Sequence, residues 1–216
     1  MFKITDEIID SHIDNIIDLT HKLAKSKLSV LVGPNGTGKS LIRKQIGVQL
    51  YRKYKYNVLR HVSMELRTNT YSELGALSSI FRDNDVEPTS ICTLDLIEKM
   101  HDNVSSSSKK VYLVIDEPEI GMSIESQLGI AKKIVELKEY IDNPYLGILV
   151  ITHSPTILDR LVNSDFEFNY IGYNITHCSY DDYKNREIVE TDFEWLKDWS
   201  HQLFLRVRDR STSARK

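Results

Sequence analysis

Leu28-Ser29-Val30-Leu31-Val32-Gly33-Pro34-Asn35-Gly36-Thr37-Gly38-Lys39-Ser40 is the stretch from which the rest of the chain is read. Its first five residues are mostly apolar and partly β-branched, which predicts a buried strand. The following eight match Gly-x-x-x-x-Gly-Lys-Ser/Thr. Glycines let a backbone curl so that successive N–H groups point inward at phosphate oxygens. Lys39 is then placed to reach the β- and γ-phosphates of a nucleotide, and the Ser40 hydroxyl to ligate Mg²⁺. A helix predicted over about Lys39–Lys53 would present its N-terminus to the same anion. A plain glycine-rich turn explains neither the Lys-Ser pair nor the strand before it.

Two more apolar stretches end in polar residues. Val111–Ile115 runs into Asp116-Glu117-Pro118-Glu119, and Leu146–Thr152 into His153-Ser154-Pro155. Asp116 is the expected Mg²⁺ partner, directly or through a water. Glu117, the next residue, points elsewhere and is suited to orient and polarise an attacking water. Pro118 has no N–H and helps end the strand. The His153 imidazole is suited to hydrogen-bond a γ-phosphate.

Working outward, helical spacing of Ile9, Ile13, Ile16, Ile17, Leu19 and Leu23 predicts a helix over residues 6–25, capped by Thr5 or Asp6. Further strands are expected near Val58–Met64 and Phe166–Gly172. Helices are expected near Ser72–Phe81, Ile91–Val104 and Ile124–Ile141, and one opens at Pro155. The last helix, about Asp192–Arg208, is amphipathic through Phe193, Leu196, Trp199, Leu203 and Val207. Apolar strands alternating with helices imply an α/β fold with a mainly parallel sheet covered on both faces. In such sheets ligands bind beyond the carboxyl ends of the strands. That rule brings residues 33–40, 116–119 and 152–155 to one edge.

The chain has 216 residues, 41% hydrophobic and 27% charged, within the range of ordinary globular proteins rather than disordered ones. Its 28 basic and 31 acidic residues leave a formal charge of −3, which argues against a general nucleic-acid coat though not against a local patch. The apolar runs fall far short of the roughly 18 residues of a membrane span. The acidic start, MFKITDEIID, has no apolar h-region, so a cytoplasmic protein without membrane insertion is expected. Cys92 and Cys178 read as structural thiols without a disulfide. Ser105–Ser108 reads as a flexible surface loop.

Together GPNGTGKS, IDEPEIGMS and ITHSP resemble the Walker A motif, the Walker B motif with catalytic glutamate, and the switch histidine of ABC-type ATPases. The likeness is to compact members: SMC-type and recombination-protein heads, and the ATPase domain of the overcoming-lysogenisation-defect family. It implies a P-loop NTPase fold over one domain, 1–216. Within it, 1–26 would form an N-terminal helix, 27–172 the nucleotide-binding core, and 173–216 a C-terminal helix with a basic tail. It implies ATP hydrolysis with Mg²⁺, a homodimer formed on ATP binding, and a nucleic-acid, nuclease or other effector partner. Carried over by position, Asn35, Gly36, Thr37, Gly38, Lys39, Ser40 and Leu41 would hold the nucleotide. Ser40 and Asp116 would hold the metal. Lys39, Glu117 and His153 would carry catalysis, and Gly121-Met122-Ser123 falls at the family's D-loop.

The chain also departs from that pattern. It contains no Leu-Ser-Gly-Gly-Gln; the register points instead to Pro88-Thr89-Ser90-Ile91-Cys92, where Ser90 is either a phosphate donor to a partner or a helix N-cap. Glu65 or Asn69 falls where the family has a glutamine. No aromatic residue that would stack on adenine is evident upstream of Gly33, so adenine preference rests on the resemblance alone. A small-molecule P-loop kinase and a nucleotide-gated interaction module without turnover remain the alternatives. The stretch 205–216, with five basic residues and one acid, reads as a solvated, frayed tail, with nucleic-acid contact as the alternative. Trp195 and Trp199 read as core or interface anchors rather than base-stacking platforms.

Overall fold

The computed structural model describes residues 2–53, 58–62, 89–174 and 178–213. Strands β1 (Leu28–Val32), β2 (Val58–Val62), β3 (Val111–Asp116), β4 (Tyr145–Ile151) and β5 (Glu167–Tyr170) form one sheet in the order β2-β3-β4-β1-β5. Every pairing in it is parallel. Among the described residues the helices are α1 (Asp6–Leu23), α2 (Lys39–Lys53), α3 (Thr89–Ser105), α4 (Ile124–Glu136), α5 (Pro155–Val162), α6 (Tyr180–Lys184) and α7 (Phe193–Ser213).

Side chains alternate across the sheet and feed two cores. Tyr112, Val114, Leu149, Ile151 and Leu31 pack with Ile9, Ile13 and Ile16 of α1, Ile42 and Ile46 of α2, and Trp199 of α7. Their neighbours Leu113, Ile115, Ile148, Val150 and Val30 face the other way, onto Leu96 and Ile97 of α3, Ile130 and Ile134 of α4, and Leu161 of α5. Each such side chain, fully buried, contributes roughly 1.5–3 kcal/mol. Helices therefore cover both faces of a sheet whose central strands are buried almost throughout.

Helix starts follow local chemistry. Thr5, in an extended conformation, accepts from the Ile8 N–H and caps α1. Ser154 accepts from the Ile157 N–H, with Pro155 in the first turn, and opens α5. The helix expected over Ile124–Ile141 ends at Glu136 and continues as a 3₁₀ turn, Leu137–Tyr140. Ile141 is extended because it bridges to Tyr145 at the start of β4. The short α6 was not expected. It is held by a capping box between Ser179 and Asp182, and five residues are too few to show a hydrophobic period.

The C-terminal tail is a correction. α7 runs past Arg208 to Ser213 because its arginines are paired with α1. Arg206 grips Asp10 through Nε–Oδ1 at 2.8 Å and Nη2–Oδ2 at 2.5 Å. Arg210 reaches Asp14 at 2.6 Å and Asp10 at 2.9 Å. Hydrogen bonds from Arg206, then Arg210, hold the Asp10 carboxyl down at about 2. Two of the tail's basic residues are thus spent on α1 rather than left to solvent. Trp199 is fully buried, and Trp195 stacks on it with ring centroids 5.5 Å apart, as core anchors do.

The expected helix near Ser72–Phe81, together with Glu65, Asn69 and Pro88, lies outside the described residues. Among the described residues no helix is long and apolar enough to cross a membrane.

Candidate functional site

Strand register sets the level of the site. Ile151 of β4 lies opposite both Leu31 of β1 and Asp116 of β3, so the three strands end together. Because β4 separates β1 from β3, Thr152 and His153 emerge between the glycine loop and the carboxylates.

The loop from Gly33 to Ser40 joins β1 to α2. Gly36 and Gly38 have φ of +77° and +96°, which side-chain-bearing residues rarely adopt. A Cβ on Gly33 would lie 2.1 Å from the Ile171 carbonyl oxygen, so only glycine lets the chain leave β1 there. Surrounding elements tie down the loop's carbonyls. His12 Nε2 of α1 donates to Thr37 O at 2.9 Å, Trp199 Nε1 of α7 to Gly36 O at 3.2 Å, and the Tyr173 hydroxyl to Asn35 O at 2.7 Å. Burial pulls His12 below the ordinary histidine value, so it holds the loop as a neutral ring at pH 7.

Lys39 is 7% exposed and donates to the carbonyls of Gly33 and Pro34, both at 2.8 Å. Burial pulls its ammonium down to about 8, against the upward influence of Glu117, Asp116 and Glu119. These carboxylates are therefore close enough to act on the lysine.

Asp116 shares the sheet face of Tyr112 and Val114, which is the face covered by α2. There its Oδ2 meets Arg43 Nη1 at 2.6 Å, and both side chains are only 14% exposed. Arg43 has no role in the sequence reading. The available signal is an arginine one helical turn past Lys39, on the side of α2 that faces the sheet. Glu117 leaves β3 with φ +48°, and its N–H donates to Ile151 O at 2.8 Å. Such a left-handed residue costs about 1–3 kcal/mol and persists only where its surroundings hold it. The turn brings Glu117 Oε1 to 3.3 Å from His153 Nε2. Burial and then the Lys39 charge lower the His153 pKa, opposed by Glu117 and Glu119, so the imidazole is neutral at pH 7.

Glu119 is the second residue that the sequence left without a role. Its Oε2 accepts from the Thr152 hydroxyl at 2.9 Å and its Oε1 from the His153 N–H at 2.6 Å. It staples the end of β4 to the turn after β3. The Thr152 hydroxyl accepts from the Ser154 N–H, and the Ser154 hydroxyl donates to Gln127 Oε1 at 2.6 Å. Gln127 Nε2 in turn donates to Met122 O at 3.1 Å, while Ser123 caps α4. Ser90 lies in the first turn of α3.

A cavity of about 360 Å³ opens against the loop. It is lined by loop residues including Lys39 and Ser40, by Leu41, Lys44 and Glu117, and by Leu203, Phe204 and Val207 of α7. A second, of about 470 Å³, lies beside it, between Pro34, His153, Tyr173 and the strand-free segment 186–191. Both are in the size range of small-molecule sites. Ser40 and Asp116 offer the hard oxygen donors that Mg²⁺ takes, so the residues fit that ion chemically. Among the described residues no group of three or more His, Cys, Asp or Glu is set to hold a metal. Most ligands of a magnesium ion here would therefore come from phosphate and water.

A parallel sheet with helices on both faces, carrying its glycine loop between a central strand and the next helix, is an α/β P-loop NTPase fold. No protein-family model and no curated protein matches the chain. Solved structures with a similar fold include an E. coli HORMA–CdnC–Trip13 complex, at 17% identity and TM-score 0.43, covering 77% of this chain and 62% of that one. A dimeric bacterial ABC transporter cassette aligns at 13% identity and TM-score 0.44, covering 70% of this chain and 84% of the cassette. PCH-2 of C. elegans aligns at 16% identity and TM-score 0.40, covering 81% of this chain and 44% of that protein. The chain thus spans less than two thirds of the first and third of these.

Proposed function

We propose that the chain binds Mg·ATP at residues 33–41 and hydrolyses it. The observation that supports this best is the Glu117–His153 contact of 3.3 Å beside Lys39, at the level where three adjacent strands end. Lys39 carries a positive charge at neutral pH and would exchange its two loop carbonyls for β- and γ-phosphate oxygens. Neutral His153 would hydrogen-bond the γ-phosphoryl group. Glu117 would accept the proton of a water whose oxygen attacks the γ-phosphorus. The bond from phosphorus to the β,γ-bridging oxygen breaks, and ADP leaves with its electron pair. Ser40 and Asp116 would hold Mg²⁺, which neutralises charge on the phosphates when bound. We further propose that ATP joins two copies of the chain, and that the output reaches a protein or nucleic-acid partner.

Steady-state ATP turnover and ATP affinity, measured on three proteins, test this reading. Lys39→Ala is expected to abolish nucleotide binding. Glu117→Gln is expected to bind ATP while turning over about 10²–10⁴-fold more slowly, and to double in mass with ATP present. A Glu117→Gln protein that hydrolyses ATP at the wild-type rate would contradict the role given to Glu117.

A further inference from the structure

We infer that Phe204 of α7 is the platform on which the nucleotide base stacks. The inference rests on the proposed function, since it names the base site that goes with the same phosphate loop. Phe204 of α7 is a large apolar side chain left 63% exposed, whereas Trp199 is fully buried and Leu203 is 7% exposed; Phe193, 77% exposed at the start of the helix, does not line the cavity described below. That exposure falls on the cavity that holds Lys39 and Ser40. The same cavity is lined by Lys39, Ser40, Lys44, Phe204 and Val207, so one ligand can touch the phosphate loop and α7 together.

Helix α7 is fixed relative to the loop rather than merely near it. A Cβ on Gly36 would lie 2.8 Å from Leu196 Cδ1 and 2.9 Å from Ser200 Oγ, and Trp199 Nε1 donates to Gly36 O. Further along the helix, Arg206 and Arg210 are clamped to Asp10 and Asp14 of α1. The helix that carries Phe204 is therefore held from both sides before ligand arrives, which lowers the ordering cost of a stack. A nucleoside triphosphate with its phosphates on the loop carries a flat ring as well, and an exposed aromatic side chain lining the same cavity suits it. Base–aromatic stacking is sequence-tolerant because every base has a π-face.

Calorimetric titration with Mg·ATP and with inorganic tripolyphosphate tests this on wild type, Phe204→Ala and Phe204→Tyr. Phe204→Ala is expected to weaken ATP about tenfold, equivalent to about 1.4 kcal/mol, and to leave tripolyphosphate affinity unchanged. Phe204→Tyr is expected to restore ATP affinity. The inference is overturned if Phe204→Ala binds ATP as wild type does, or if it loses ATP and tripolyphosphate equally. In both of those results wild type still binds ATP and the phosphate-loop reading stands. Wild-type protein that binds neither ligand would overturn that reading and the platform with it.

Discussion

At the residue scale the site is a problem of charge. Lys39 is buried deeply enough to bring its ammonium to about 8, and three carboxylates keep it from falling further. A triphosphate favours the protonated lysine, so below pH 8 binding costs no proton uptake. Above pH 8 each complex must take one up, and affinity for tripolyphosphate is expected to fall as pH rises, by up to tenfold per unit. Titration in buffers of different ionisation enthalpy at pH 8.5 would reveal that uptake; affinity flat from pH 7 to 9 would contradict it. In the proposed site Glu119 would act as a positioning residue. It receives the Thr152 hydroxyl and the His153 N–H, and it is given no contact with the reacting atoms. Glu119→Ala is expected to lower kcat about 10²-fold with little change in KM, because misplacement by an ångström costs that much. Glu119→Gln keeps one acceptor and is expected to recover part of the loss.

At the element scale, α1 and α7 form a brace around the glycine loop. His12 and Trp199 hold its carbonyls, while Asp10, Asp14, Arg206 and Arg210 hold the helices together. Asp10 titrates at about 2 instead of its ordinary 3.8, so the stability it supplies is fully present above the ordinary value and is lost as pH falls towards 2. Asp10→Asn is expected to melt below wild type at pH 7, with the difference closing between about pH 4 and 2; thermal melts across that range check it. This brace also marks what the sequence could and could not show. Buried strands and the Gly33–Ser40 loop are local patterns, and local patterns are legible. The pairing of Arg206 with Asp10, of Arg43 with Asp116 and of Glu119 with Thr152 joins residues remote in the chain, and no periodicity signals such partners. The split of the Ile124–Ile141 helix has the same origin, since Ile141 is extended by its bridge to Tyr145.

At the scale of the whole molecule, strand order brings three separate sequence signals to one level of the sheet. With β4 inserted between β1 and β3, the loop lysine, the Asp116–Glu117 pair and His153 leave the sheet at the same level. Had β4 not paired with β3, His153 could not have reached Glu117. The proposed chemistry therefore depends on a single triphosphate meeting all of them. A crystal structure of the Glu117→Gln protein with ATP and Mg²⁺ measures this most directly. The γ-phosphate is expected within hydrogen-bonding reach of both Lys39 Nζ and the His153 ring, with residue 117 facing the water behind it. A triphosphate whose terminal group lies away from His153 and residue 117, or no nucleotide on residues 33–41 at all, would contradict the account.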